Sequence, residues 1–252
     1  MKKALITGAT GGIGLEICKF LGNDHEIYIL GRNEEKLINL SNKFSFIKEY
    51  FVCDISEVKS LQDFFEKISM KNLQIDVLVN NAGVTDDSLF LRMDLKKWNK
   101  VININLNSNF MISNFFSKQM MKNKWGRIVN ITSQAVKAPV PALGLSNSAR
   151  TGLTGYVAGT SRQVARFGVN INNLLPGMHD TKRLIDLDKA LSKEKSISFQ
   201  EARNLRKDTI PVGRYGSIEE FGNTCAFLCS QYAGFIVGQN ILLDVGAVNS
   251  TI

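Results

Sequence analysis

At 252 residues, with 44% hydrophobic and 21% charged residues, the chain has the balance of an ordinary folded protein and not that of a disordered one. Its net charge of +8 is spread along the sequence with no aromatic-interleaved basic motif, which argues against specific nucleic-acid binding and suits an anionic small molecule. Four scattered cysteines, with only Cys225 and Cys229 close together and at helical spacing, point to core thiols and exclude a CxxC redox or zinc motif. No window approaches a membrane span, and the apolar stretch after Met1-Lys2-Lys3 is too short for a signal-peptide core, so a soluble cytoplasmic protein without membrane association is expected.

Short apolar runs alternate with helical patterns along the chain. Ala4 to Thr7 reads as a strand, followed by a helix from Gly12 to Leu21. Glu26 to Leu30 precedes a helix near Glu34 to Asn42, and Phe51-Val52-Cys53 precedes one from Val58 to Met70. The run Asp76 to Asn80 follows, then a long helix from Trp98 to Met121, a strand from Arg127 to Thr132 and a second long helix from Gly144 to Phe167. Val169 to Leu175 and Gly238 to Asp244 close the series. Alternation of this kind predicts an α/β fold with a doubly wound parallel sheet of about seven strands, helices on both faces, in a single domain over residues 1–252. Lys182 to Ile210 departs from the pattern: it is polar and lysine-rich with weak helical periodicity, and reads either as a lid beside a site or as a solvated excursion.

The first strand runs into Thr7-Gly8-Ala9-Thr10-Gly11-Gly12-Ile13-Gly14 at the start of a helix. Glycines there let the backbone turn sharply and approach a diphosphate, whose charge the free amides and dipole of the helix start favour. The spacing is not that of GxGxxG. Further on come Asn80-Asn81-Ala82-Gly83, Asn105 within a helix, and Pro176-Gly177 with Thr181. In that order these resemble the TGxxxGxG, NNAG, helix-Asn and PGxxxT motifs of the short-chain dehydrogenase/reductases, over essentially the whole chain. The resemblance implies a Rossmann-type fold and a nicotinamide cofactor. It assigns Gly8, Thr10, Gly12, Ile13 and Gly14 to the diphosphate, Asp54 and Ile55 to the adenine, Asn81, Ala82 and Gly83 to the adenosine side, and Pro176, Gly177 and Thr181 to the nicotinamide.

Cofactor choice is read at the end of the second strand, where Arg32 stands in place of an acid. A guanidinium offers fixed donors to a 2′-phosphate, so NADP(H) is preferred, with NAD(H) left open because Gly11 stands where the glycine turn would carry a second basic residue.

The catalytic positions depart from the family. Ser133 matches its carbonyl-polarising serine, but the expected YxxxK reads Ser146-Asn147-Ser148-Ala149-Arg150. Positions four apart share a helix face, so Ser146 and Arg150 can address one site. A serine hydroxyl is a far weaker acid than a phenol, and an arginine stays charged, so neither is a ready proton donor; Arg150 can hold the ribose and stabilise an oxyanion. His179, in the loop expected to border the nicotinamide, or water anchored by Asn105 is the candidate proton source. Tyr156 is too far along its helix to replace the missing phenol.

Val84 to Leu89 with Trp98, Ile210 to Arg214, and Val237 to Asn240 resemble 3-oxoacyl-carrier-protein reductases within the family. The resemblance implies a carbonyl/alcohol interconversion on an acyl thioester, or on a sugar-type or other small carbonyl compound. It also implies an acyl carrier protein partner met by Arg127, Arg162 and Arg166, and a homotetramer built on the two long helices and the run Phe235 to Val248. A cofactor-binding protein with degraded catalysis, and a lyase or dehydratase using Ser133 and Arg150, are the alternatives that the SxxxR change leaves open.

Overall fold

The computed structural model describes residues 1–85 and 94–249. Its strands are β1 (Lys2–Thr7), β2 (His25–Gly31), β3 (Ile47–Val52), β4 (Val77–Asn80), β5 (Gly126–Ile131), β6 (Val169–Pro176) and β7 (Asn240–Leu243). They form one seven-stranded sheet in the order β3-β2-β1-β4-β5-β6-β7, every pairing parallel. The order reverses between β1 and β4, and a doubly wound sheet opens its binding crevice at the carboxyl ends of the strands around that switch.

The helices are α1 (Gly12–Leu21), α2 (Glu34–Lys43), α3 (Val58–Met70), α4 (Leu95–Ile102), α5 (Ser108–Lys122), α6 (Gly144–Val164), α7 (Lys182–Lys195), α8 (Phe199–Lys207) and α9 (Ile218–Cys229). Side chains alternate across a strand, so adjacent residues of β1 feed opposite cores. Leu5, Leu78, Ile128 and Ile171 pack with Phe64 of α3, Phe116 of α5 and Val157 of α6. Ala4, Ile6, Val79 and Val129 pack on the other face with Ile17 of α1, Leu37 of α2 and Phe221 of α9. Both faces being covered explains why the strands read as continuous apolar runs. All four cysteines are free and buried; burial pushes the Cys18 thiol up to about 12.

The sheet also carries a polar row. Asn80, Asn130, Asn173 and Asn240 are register partners on successive strands. Asn80 donates to Asn130 at 2.8 Å, Asn130 to Asn173 at 3.1 Å and Asn173 to Asn240 at 2.8 Å. A second bond from Asn80 reaches the Ser113 hydroxyl of α5 at 3.0 Å.

Several sequence expectations need correction. The helix expected over Trp98–Met121 is broken: Asn103–Asn107 forms a π turn between α4 and α5. Polar side chains compete there for backbone carbonyls, since Ser108 Oγ and Asn109 Nδ2 both donate to the Ile104 carbonyl, at 2.6 and 3.1 Å. The third strand starts at Ile47, ahead of the expected Phe51, and the last is confined to Asn240–Leu243.

The segment after Lys182 is neither structureless nor a single helix. Thr181 caps α7, and a Ser198–Glu201 capping box opens α8. The pair is held by Asp188, fully buried on α7, which accepts from Arg206 Nε at 2.7 Å and from the Tyr215 hydroxyl at 3.0 Å, with Arg203 Nη1 at 3.5 Å. A buried charge in place of an apolar stripe is why the periodicity there is weak. No helix among the described residues is long and apolar enough to cross a membrane.

Candidate active site

Two adjoining clefts open at the carboxyl ends of the strands. The first, of about 650 Å³, is lined by the β1–α1 turn, the end of β2 with Arg32, Asp54 and Ile55, and Asn81 to Gly83. The second, of about 550 Å³, is lined by Ser133, Ser146, Arg150, the loop from Pro176 to His179, and residues of the first turns of α7. Ile13, Asn81, Gly83, Val84, Thr181 and Arg183 border both.

The first cleft is shaped by backbone. Gly8 has φ +68, and a side-chain carbon there would stand 2.8 Å from the Ala82 Cα; one on Gly14 would stand 2.4 Å from the Gly8 carbonyl oxygen. Neither position has room for any other residue. The NNAG segment braces this turn: the amides of Asn81 and Ala82 donate to the Thr7 hydroxyl at 3.0 and 2.9 Å, and Asn81 Nδ2 donates to the Thr7 and Gly8 carbonyls at 3.1 and 3.0 Å. Gly11, by contrast, faces open space, with nothing within 4 Å of a built side-chain carbon. It precedes α1, which has no side-chain cap and no acid in its first turn. Uncapped amides beneath an open glycine surface suit a diphosphate, so the residues present fit a nicotinamide dinucleotide.

At the far end of this cleft Arg32 lies 3.8 Å from Asp54, both side chains well exposed. Such a pair is weakly held. Burial works against the ionised Asp54, but its bonds from the Ser56 amide and hydroxyl and the charges of Arg32 and Lys100 outweigh this and lower its pKa. Thr181 meets the glycine turn from the opposite side, 3.5 Å from a carbon built on Gly12.

In the second cleft the four-residue spacing on α6 does bring Ser146 and Arg150 together: Arg150 Nε donates to Ser146 Oγ at 3.1 Å. Arg150 Nη1 donates to the Ile131 and Thr132 carbonyls at 2.9 and 2.8 Å, tying α6 to the end of β5. Its Nη2 would lie 3.0 Å from a carbon built on Gly83, so the glycine leaves the guanidinium facing the junction of the clefts. Desolvation, helped by the charge of Arg183, pushes the Arg150 pKa down to about 10, which leaves it cationic at neutral pH. Among the described residues no carboxylate pairs with it. Ser133 lines the same cleft, and its hydroxyl accepts from the Ala135 amide at 3.1 Å.

Other sequence candidates are placed differently. Asn105, within the π turn, bonds Val84 from both ends of its amide, accepting from the Val84 amide at 2.9 Å and donating to its carbonyl at 2.7 Å. His179 lines the second cleft but is buried beneath its loop, with Nδ1 3.3 Å from the Gly177 carbonyl and its ring edge-on to Phe221 at 5.0 Å. Burial lowers its pKa, against the Gly177 carbonyl and the charge of Glu220, and so favours the uncharged ring. Tyr156 stacks edge-on with Phe110 at 5.4 Å. Arg127 is not a surface residue: it is 5% exposed at the start of β5 and donates to the carbonyls of Gly126, Gly168 and Ser230, which removes it from any carrier-protein face. Arg162 and Arg166 are exposed. Asp86 to Leu89 of the reductase-like stretch lie outside the described residues. Sequence reasoning passed over Arg183, which sits in the first turn of α7 and borders both clefts; its signal was its place two residues after the PGxxxT threonine.

The model of the short chain dehydrogenase family matches residues 2–192. The chain is 35% identical over 246 residues to the 3-oxoacyl-[acyl-carrier-protein] reductase FabG of Rickettsia felis, spanning 97% of this chain and 96% of that protein. It is 33% identical over 248 residues to that of Escherichia coli, with the same coverage of 97% and 96%. Among solved structures, a variant of the actinorhodin polyketide ketoreductase with NADPH superposes with a TM-score of 0.91 at 27% identity, covering 99% of this chain and 98% of that one.

Proposed function

The chain belongs to the short-chain dehydrogenase family and is an oxidoreductase of that type; from this premise we propose that it interconverts a carbonyl and an alcohol with NADP(H), using Ser133, Ser146 and Arg150. The carrying observation is the Arg150–Ser146 hydrogen bond in the cleft that Ser133 also lines. When bound, the nicotinamide supplies a hydride to a carbonyl carbon or accepts one from a carbinol carbon.

Reduction adds one hydride to the carbon and one proton to the oxygen. Ser133 and Ser146 orient the carbonyl, and Arg150 places a fixed positive charge near the oxyanion as it develops. A hydroxyl that accepts a bond from a cation is in turn a better donor, so Ser146 delivers the proton and recovers one from solvent. Its weak acidity makes this slower than a phenol would be. Asn105 acts by fixing the Val84 backbone beside Gly83. His179, packed on Phe221, serves as a wall of the Pro176–Thr181 loop.

Arg32 supports the choice of NADP(H), since its weak pairing with Asp54 leaves the guanidinium to a 2′-phosphate; with NAD(H) it would keep Asp54 as its partner. The substrate classes to be tested are 3-oxoacyl thioesters, the class in the relatives' name, and small carbonyl compounds. Exposed Phe110 on α5 and Phe235 before β7 support assembly into a tetramer, and exposed Arg162 and Arg166 support docking of an acidic carrier.

The test is transfer of deuterium from labelled NADPH to a panel of ketones and 3-oxoacyl thioesters. Label in the product is the expected result. The Ser146→Tyr/Arg150→Lys double variant should turn over faster by about 10²-fold, the scale of a restored general acid. Tight cofactor binding with no transfer by the native protein, and transfer by the double variant, would replace this reading with that of a cofactor-binding protein.

A further inference from the structure

The second cleft holds more positive charge than the reaction needs. Arg150 is already committed through Nε to Ser146 and through Nη1 to two carbonyls at the end of β5. Arg183 of α7 lines the same cleft, and its charge disfavours that of Arg150. Other arginines of the surrounding segment each meet a carboxylate: Arg203 meets Asp180 at 2.7 Å, Arg206 meets Asp188 at 2.7 Å and Arg214 meets Glu220 at 2.7 Å. Among the described residues Arg183 meets none, and no acidic side chain lines the second cleft. Arg183 is an exposed residue that lines both clefts.

Like charges held together at a cleft mouth repel one another, and an anion bound between them relieves that repulsion. Beside the polar Ser133, Gln134, Ser146 and His179, the lining includes an apolar set, Val140, Leu143, Met178, Leu184 and Leu187. The diphosphate already has the uncapped amides of α1, which leaves Arg183 to a second anion.

Building on the oxidoreductase reading, we propose that the substrate is an oxo acid, interconverted with the corresponding hydroxy acid, whose carboxylate pairs with Arg183 while its apolar tail lies against Met178, Leu184 and Leu187. The carboxylate passes through the reaction unchanged. A carboxylate takes the guanidinium in a two-pronged pair, which a neutral ester or amide does not. Arg183 is thus a specificity-determining residue, and Arg150 the one that meets the reacting oxygen.

The experiment measures binding and turnover separately. Acetoacetate and 4-methyl-2-oxopentanoate, each with its methyl ester, are titrated calorimetrically into NADP⁺-loaded protein and then assayed by NADPH oxidation. The acids should bind at least about 10-fold more tightly than their esters. Arg183→Leu should bring that ratio close to one by raising KM for the acid, Arg183→Lys should restore part of it, and NADPH affinity should change by less than about twofold. Esters binding as well as acids, or no acid binding at all, overturns the proposal. Loss of NADPH affinity in Arg183→Leu with an unchanged acid-to-ester ratio also overturns it, and assigns the residue to the cofactor. Acid-selective binding that Arg183→Leu abolishes, without turnover of either acid, keeps Arg183 as a carboxylate site and overturns the oxo acid as substrate.

Discussion

At the β1–α1 turn, a carbon added to Gly14 would come 2.4 Å from a carbonyl oxygen; at the α7–α8 pair, Asp188 is fully buried with two arginines and a tyrosine around it. The glycine turn and the first turns of α7 line the same cleft, yet the two regions are held in shape by opposite means. One is a backbone surface from which side chains are excluded. The other is a set of charged side chains that must find each other. The first tolerates no addition at Gly8 or Gly14, and the second no subtraction.

Removing the carboxylate should break the second region most visibly. Asp188→Ala leaves Arg203 and Arg206 without their buried partner, and we expect a loss of ~3–5 kcal/mol, the usual cost of stripping one member from a buried ion cluster. Urea titration reads the loss, and limited proteolysis should find new cleavage between residues 182 and 210. Unchanged stability and cleavage would mean that packing alone holds α7 and α8.

Adding carbon to the first region should cost less. Gly14→Ala forces a shift of the Gly8 carbonyl or the Asn81 amide, worth ~1–3 kcal/mol, with weaker NADPH binding by fluorescence titration. Gly11→Ala is the control that sharpens the contrast. With nothing within 4 Å of the new carbon it should fold as the native chain does, so any loss of affinity it shows comes from filling the cofactor's own space. Equal loss of stability in both variants would refute the steric account.

The smallest effect is a dependence on pH. Burial first, then the bond and charge of Asp188, push the Tyr215 hydroxyl up to about 12, from an ordinary value of 10. An acid whose pKa is raised on folding ionises first in the unfolded chain, so its contribution is whole below pH 10 and is lost as the pH climbs from 10 toward 12. Urea melts at pH 8 to 11 should show this decline in the native protein and a flatter profile in Tyr215→Phe, which itself costs ~1 kcal/mol at neutral pH. Parallel profiles would remove Tyr215 from the cluster's alkaline response.

The same contrast accounts for what was legible in the sequence. The sheet was readable because both faces of every central strand are covered, so burial writes itself as apolar runs such as Val77 to Val79. The glycine turn was readable because its shape admits few residues. Periodicity did not reveal the π turn at Asn103–Asn107, because the rotation it introduces comes from side chains competing for carbonyls and not from a change in the apolar stripe. Nor could it show Asp188 as a core residue or Arg127 as a buried one, since a charge is buried only when distant residues supply its partners. The Ser146–Arg150 contact was foreseeable from helix spacing; the strut from Arg150 to the β5 carbonyls was not, because it depends on how α6 lies across the sheet.

The asparagine row across β4, β5, β6 and β7 bears on the site in one more way. A parallel strand that slips by a single residue turns its side chains to the opposite face, and a slip by two carries it about 6.6 Å along its axis. Either error in β6 would unseat Asn173 from Asn130 and Asn240 at once. The row therefore works as an alignment key, closing at a single offset of the strands. That offset fixes how far β5 reaches before Ser133, and how far β6 reaches before Pro176, so the floor of the crevice is levelled from within the sheet before any ligand arrives.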